Sequence, residues 1–172
     1  MTRWLPVIVG VVGFSFVCAS HAQAQGSFSG RWTLMRDRST VQWPNGQGSV
    51  TLSVLGSDFT IQQTPDQLVV EQANQLPKWV VMLDGSETRS VMERPDTGVK
   101  QERTYRGEWR GETFVIHVTE TDTWKDGRTA TGERTYELSL NPDGTLRVAG
   151  IPMMTKDGPL GASVYRWLEA VE

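Results

Sequence analysis

The stretch from Glu102 to Val118 reads ERTYRGEWRGETFVIHV, and the fold is decided there. Two alternating runs flank a Gly-bearing polar turn. Tyr105 and Trp109 lie four apart on one face, and Phe114, Ile116 and Val118 take alternate positions after the turn. A period of two along both arms is the pattern of half-buried antiparallel strands. Part of this pattern is written a second time. Glu133-Arg134-Thr135-Tyr136 echoes Glu102-Arg103-Thr104-Tyr105, and Leu138, Leu140, an Asn-Pro-Asp-Gly turn, Leu146 and Val148 follow. The C-terminal half reads as one hairpin unit repeated, with a connector between the copies.

Outward from this unit, the same punctuation continues in both directions. Phe28 to Leu34 opens a first strand with Trp32 and Leu34 on one face. Arg36 to Gly48, broken by Pro44, Asn45 and two glycines, reads as a long surface loop. Val50, Leu52 and Val54 alternate, as a strand or part of a crossing loop. Phe59 to Gln63 and Leu68 to Gln72 pair across the tight turn Thr64-Pro65-Asp66-Gln67, where proline presets φ. Trp79 to Leu83 and Glu87 to Glu93 precede the central hairpin. Its second arm runs as far as Trp124, and Arg128 to Leu140, Thr145 to Ala149 and Ser163 to Leu168 follow. No segment shows the spacing of a long amphipathic helix; at most a helical turn is expected near Leu168 or in the leader. The expectation is all-β, an antiparallel up-and-down barrel of about 8–10 strands. Closure is favoured over a sandwich because a long meander otherwise exposes two edges that invite aggregation.

The first 24 residues read as a signal peptide rather than as fold. Arg3 gives a short positive region, Leu5 to Ala19 is an apolar run, and Ala22-Gln23-Ala24 offers small residues at a cleavage site. The run is shorter than the roughly 20 residues a membrane helix needs. A cut after Ala24 leaves residues 25–172 as a single domain that is periplasmic or secreted, with no stable membrane anchor. It also removes Cys18, the one cysteine, so the remaining chain has no internal disulfide. Without Arg3, 16 basic residues face 20 acidic ones, one unit more negative than the −3 of the whole chain. That balance argues against nucleic acid or anionic lipid as partner.

At Gly30-Arg31-Trp32 the chain resembles the lipocalin-like (calycin) proteins, whose first strand carries a glycine, any residue, then tryptophan. In that superfamily an arginine near the end of the last strand packs over this tryptophan and closes the barrel; the resemblance puts Arg166 in that role beside Trp32. The chain is also similar to exported bacterial lipocalin-like proteins of unassigned function. The matching segments are Gly30 to Leu34 followed by Ser39, Leu55 to Gln63, Leu83 to Glu87, Trp109 to Ile116 and Asp143 to Leu146. They keep their order over most of the mature chain, and the chain departs from them in the loop Ile151 to Ala162. The resemblance implies a lipocalin-like β-barrel, small apolar ligands, and no shared catalytic residues.

Catalytic and metal chemistry finds little support. His117 is the one histidine of the mature chain, which removes the usual multi-histidine metal sites. Its strand phase is opposite to Phe114, Ile116 and Val118, so it is expected to face out. There is no G-x-S-x-G elbow, phosphate loop or paired-cysteine motif. Glu120 and Asp122 continue the phase of Phe114, Ile116 and Val118 and reach a barrel mouth if the register holds; the plainer expectation is that the strand has left the core there and both are solvated. Trp32, Trp79, Trp109, Trp124 and Trp167 are expected mostly as core, with one or two at a pocket. Met153 and Met154 lie on an adaptable apolar loop, either a lid over the barrel or an ordinary packed loop.

The leading expectation is an exported protein that holds a small hydrophobic or amphipathic molecule in its barrel, since about eight strands just enclose one. It has no cofactor and no metal. The expected ligand contacts are Tyr105, Trp109, Phe114, Ile116, Tyr136 and Leu138. A protein-interaction module with a filled core is the alternative. A calycin-shaped isomerase or cyclase is the third, and it requires Glu120 or Asp122 beside Tyr105 in an apolar pocket.

Overall fold

The computed structural model describes residues 26–42, 58–72, 75–94, 97–155, 158–160 and 163–171. The leader, its cleavage site and the alternating stretch Val50 to Val54 lie outside these residues. Among the described residues there are twelve strands and no helix. They are β1 (Gly30–Leu34), β2 (Thr40–Gln42), β3 (Asp58–Gln63), β4 (Gln67–Gln72), β5 (Gln75–Met82) and β6 (Thr88–Glu93). The repeated hairpins supply β7 (Lys100–Arg110), β8 (Thr113–Thr123), β9 (Thr129–Leu140) and β10 (Leu146–Thr155), followed by β11 (Gly158–Leu160) and β12 (Ser163–Val171).

Ten of these strands form one antiparallel sheet in the order β5-β4-β3-β1-β12-β10-β9-β8-β7-β6, with β11 paired to β10 and β2 to β12. The sheet coils until its two end strands meet, giving a nearly closed barrel of the up-and-down kind. The seam lies where β5 turns into β6. There the Thr88 hydroxyl bonds to the Val80 carbonyl, and Gly107 on β7 lies against the Val81 side chain and the Met82 carbonyl oxygen. A Cβ at Gly107 would stand 2.8 Å from Val81 and 2.4 Å from the Phe114 ring, so only glycine permits this approach.

The register explains which face is core. On β7 the odd positions from Gln101 to Trp109 face inward, paired with the even positions Asp122 to Phe114 of β8. Those in turn pair with the even positions of β9. Trp32, Phe59, Ile61, Leu68, Val70, Trp79, Val81, Leu146, Val148 and Leu168 join them in one buried cluster. One end of the barrel is stoppered by Phe28, buried ahead of β1, whose ring stacks on Trp109 at 5.7 Å. The Trp32 indole N–H donates to the Phe28 carbonyl at 3.0 Å and holds the stopper in place.

Four local features depart from the sequence expectations. Phe28 belongs to the stopper, so the first strand begins at Gly30 rather than Phe28. β5 begins at Gln75, four residues before Trp79, and runs through Pro77. The β4–β5 register shifts between Val70 and Gln72, opposite this segment, because proline has no N–H to give to the ladder. The stretch Ile151 to Ala162, expected as a loop, is in its described part strand. β10 extends to Thr155 and pairs back with β11, after a register irregularity between Ile151 and Met154. No helical turn occurs at Leu168, which lies within β12.

Candidate functional site

The interior changes character along the barrel axis. Near the Phe28 end it is aromatic and aliphatic: Trp109 packs on Phe114 at 4.9 Å between ring centroids, and Leu138 lies across from Phe114. Midway stands a second aromatic group, in which Trp79 contacts Tyr105 at 5.6 Å and Tyr136 at 5.0 Å. Beyond it the same inward phase carries polar groups. β7 contributes Arg103 and Gln101 after Tyr105, β8 contributes Glu120 and Asp122 after Val118, and β9 contributes Arg134 beside Tyr136.

These polar groups are organised in pairs. Arg103 Nε donates to Glu120 Oε2 at 2.7 Å, with side chains only 19% and 15% exposed. The pair is therefore mostly withdrawn from water, where breaking one partner costs far more than at a surface. Gln101, itself buried, donates its amide N–H to Asp122 Oδ1 at 2.9 Å. The Tyr105 hydroxyl lies 3.4 Å from the Ser90 hydroxyl. Burial raises the Tyr105 and Tyr136 phenols above their ordinary value, and the neighbouring Arg103 and Arg134 only partly offset this, so both stay protonated. Burial works to lower Arg103, but Glu120 and Tyr105 outweigh it and hold the guanidinium above its usual value. Arg166, 2% exposed, is lowered by burial and faces the Tyr136 phenol.

Each expected ligand contact can now be placed. Tyr105, Phe114, Ile116, Tyr136 and Leu138 are buried on the interior face, and Trp109 is partly buried against the same cluster. They divide into two groups. Trp109, Phe114 and Leu138 line the stoppered end, whereas Tyr105, Ile116 and Tyr136 border the polar layer. The register sets Trp32 beside Ala170 and Arg166 beside Val148, four residues apart along β12. The Trp32 indole bonds to the Phe28 carbonyl, and at Arg166 the nearby Tyr136 phenol acts against the lowering by burial. Glu120 departs from the plainer expectation of a solvated carboxylate, because the inward phase persists past Val118 and Arg103 meets it there. Arg103, Gln101 and Arg134 had escaped sequence reasoning, although they share the phase of Tyr105 and Tyr136 and that alternation was the available signal.

His117 lies on the outer face, as its phase implies. It borders a polar groove of about 410 Å³ lined by Arg106, Glu108, Arg110, Thr119, Glu133 and Thr135 among others. Its Nε2 is 3.3 Å from Glu108 Oε1 and its Nδ1 3.4 Å from the Thr135 hydroxyl. Hydrogen bonds from His117 and Arg110 hold the Glu108 carboxyl below its usual range. Charges of both signs neutralise one another in this groove. Among the described residues no group of His, Cys, Asp and Glu is arranged to hold a metal ion. No protein-family model, curated protein or solved structure matches the chain.

Proposed function

We propose that this protein is an exported, lipocalin-like carrier that binds a small amphipathic molecule within its barrel. The observation that carries the reading is the polarity gradient of the interior. A stoppered aromatic end built on Phe28, Trp109 and Phe114 gives way, through Trp79, Tyr105 and Tyr136, to a polar layer that holds the Arg103–Glu120 ion pair and the Gln101–Asp122 hydrogen bond. A protein that needs only a stable core has no use for such a layer, since replacing a buried ion pair by packed hydrophobic residues is often neutral or stabilising. Tyr105, Ile116 and Tyr136 are the central contacts on this reading, with Trp79 added to them, and Trp109, Phe114 and Leu138 form the floor. The leader at residues 1–24 and the G-x-W start at Gly30 to Trp32 support export and the lipocalin-like assignment.

Native mass spectrometry of protein purified from its own host, followed by denaturation and analysis of released small molecules, tests this. A stoichiometric bound mass is expected. A clean apo mass, together with no quenching of tryptophan fluorescence by fatty-acid-like probes, would overturn the carrier reading and favour an interaction module acting through its loops. The isomerase or cyclase reading keeps one observation in its favour: Glu120 and Tyr105 both adjoin Arg103 in the interior. With Glu120 engaged by that guanidinium, the cluster is better built to hold charge than to move a proton.

A further inference from the structure

The sheet ends at β6, and that strand carries an edge shaped to meet a copy of itself. β6 pairs with β7 on one side, and among the described residues no ladder joins it to β5 on the other. The Arg94 N–H donates to the Val99 carbonyl at 2.9 Å, one step beyond the Glu93–Lys100 pair. Bonding residues alternate along an antiparallel ladder. The peptide groups of Thr88, Ser90 and Met92 therefore point at β7, and those of Arg89, Val91 and Glu93 point at the open edge. β5 obeys the same rule. Its Leu83 end gives an N–H to the Asp66 carbonyl, and the Val80 carbonyl faces the seam, where the Thr88 hydroxyl takes it.

The side chains repeat this order. Arg89, Val91 and Glu93 are all exposed, and Val91, at 51%, is the most exposed large hydrophobic among the described residues. Proteins commonly protect such an edge with charges that repel a second strand. Here the two charges are opposite in sign and stand at equal distances on either side of Val91, so an antiparallel copy meets each with its complement. We propose that β6 is the docking edge for a second copy of this chain, joined about a two-fold axis between the two Val91 residues. In that register the two Val91 residues exchange backbone bonds and pack together, and Arg89 of each copy lies opposite Glu93 of the other. A shift of two residues in either direction sets a charged residue against Val91, so the side chains select one register. Arg89 also bonds to Glu102 on β7, and its five N–H donors serve both carboxylates. The occupant is a second copy rather than a foreign strand because the edge is its own complement, which is what an isologous interface requires. The contact lies on the outside of the barrel and stands whether or not the interior holds a ligand.

Sedimentation equilibrium of the purified protein at low ionic strength, over a range of concentrations, tests this. A reversible monomer–dimer equilibrium is expected. Arg89→Glu and Glu93→Arg each set like charges opposite one another, and either is expected to raise the dimer dissociation constant at least about tenfold. The double variant restores opposite charges in exchanged positions and is expected to return to within about threefold of the parent. An equimolar mixture of the two single variants is expected to form a heterodimer for the same reason. Arg89→Glu also breaks the pair with Glu102, but so does the double variant, so recovery there separates a contact between copies from an effect within one chain. Monomer at every concentration up to about 1 mM, or an open series of larger species, overturns the inference. So does a dimer that neither single variant weakens, or a double variant no tighter than the single ones.

Discussion

Gly107 shows how much one side chain, or its absence, decides. It sits on the interior face of β7 opposite Ile116, where every neighbouring inward position carries a large group. A methyl there would press on the Phe114 ring, on Val81 and on the Met82 carbonyl at once, and the backbone carbonyl has nowhere to move. Gly107→Ala is therefore expected to destabilise the barrel by about 1–3 kcal/mol, the range for overpacked cores. Urea unfolding followed by tryptophan fluorescence reads this as a lower midpoint. A midpoint equal to that of the parent would mean that β5 and β7 do not meet there. The same residue marks a limit of sequence reading. In ERTYRGEWRG, Gly107 occupies an inward phase that alternation alone assigns to a bulky residue, and the reason for glycine is contact with a strand about 25 residues away. Tyr105, Phe114 and Ile116 were legible as interior because their neighbours in sequence carry the pattern; Gly107 was not, because its neighbour is tertiary.

At the scale of elements, the hairpins were the legible part. β7, β8 and β9 match the alternating runs to within two residues, since in a half-buried antiparallel strand one face is core and the other water. β5 and the extension of β10 were less legible. Pro77 argues locally against a strand, and the tolerance comes from the register shift opposite it and from its place beside the seam. The Met- and Gly-containing run after Ile151 lacks alternation, and pairing with β11 and β9 supplies what local pattern does not. Turn chemistry was the reliable guide. In the β9–β10 turn, Asp143 Oδ1 accepts from the Thr145 amide at 3.0 Å and from its hydroxyl at 2.5 Å, and Gly144 takes positive φ. These bonds lower the Asp143 carboxyl below its ordinary 3.8. A depressed carboxyl stabilises the fold above its unfolded pKa, and that contribution is lost as pH falls through the folded value. The urea midpoint of the parent is thus expected to drop from about pH 5 downward more steeply than that of Asp143→Asn. Parallel curves for the two proteins would show that the turn carboxylate contributes no acid-sensitive stability.

For the whole molecule, the two ends of the barrel have separable tasks. A sheet of ten strands closed nearly on itself removes most of the edge that a meander would expose, and it leaves an interior that must be filled or used. The stoppered end is filled. Phe28 stacks on Trp109, Phe114 packs tilted against Trp109, and Leu83 and Leu140 pack against the same cluster. The polar end was only partly legible. Glu120 and Asp122 were visible as a continued phase, but the groups that keep them in the interior, Arg103 and Gln101, stand on another strand and are joined to them by register alone. If the ends are separate in function, damage to the stopper should leave ligand choice untouched. Phe28→Ala removes a buried ring from outside the strands, and a loss of about 3–5 kcal/mol is expected, as for other buried phenylalanines. The concentration at which fatty-acid-like probes quench the tryptophan fluorescence of the variant, measured under conditions where it stays folded, is expected to equal that of the parent. Little loss of stability would mean that the N-terminal segment is not what closes this end. A changed concentration would mean that floor and polar layer act as one site, with the ligand reaching the full depth of the barrel.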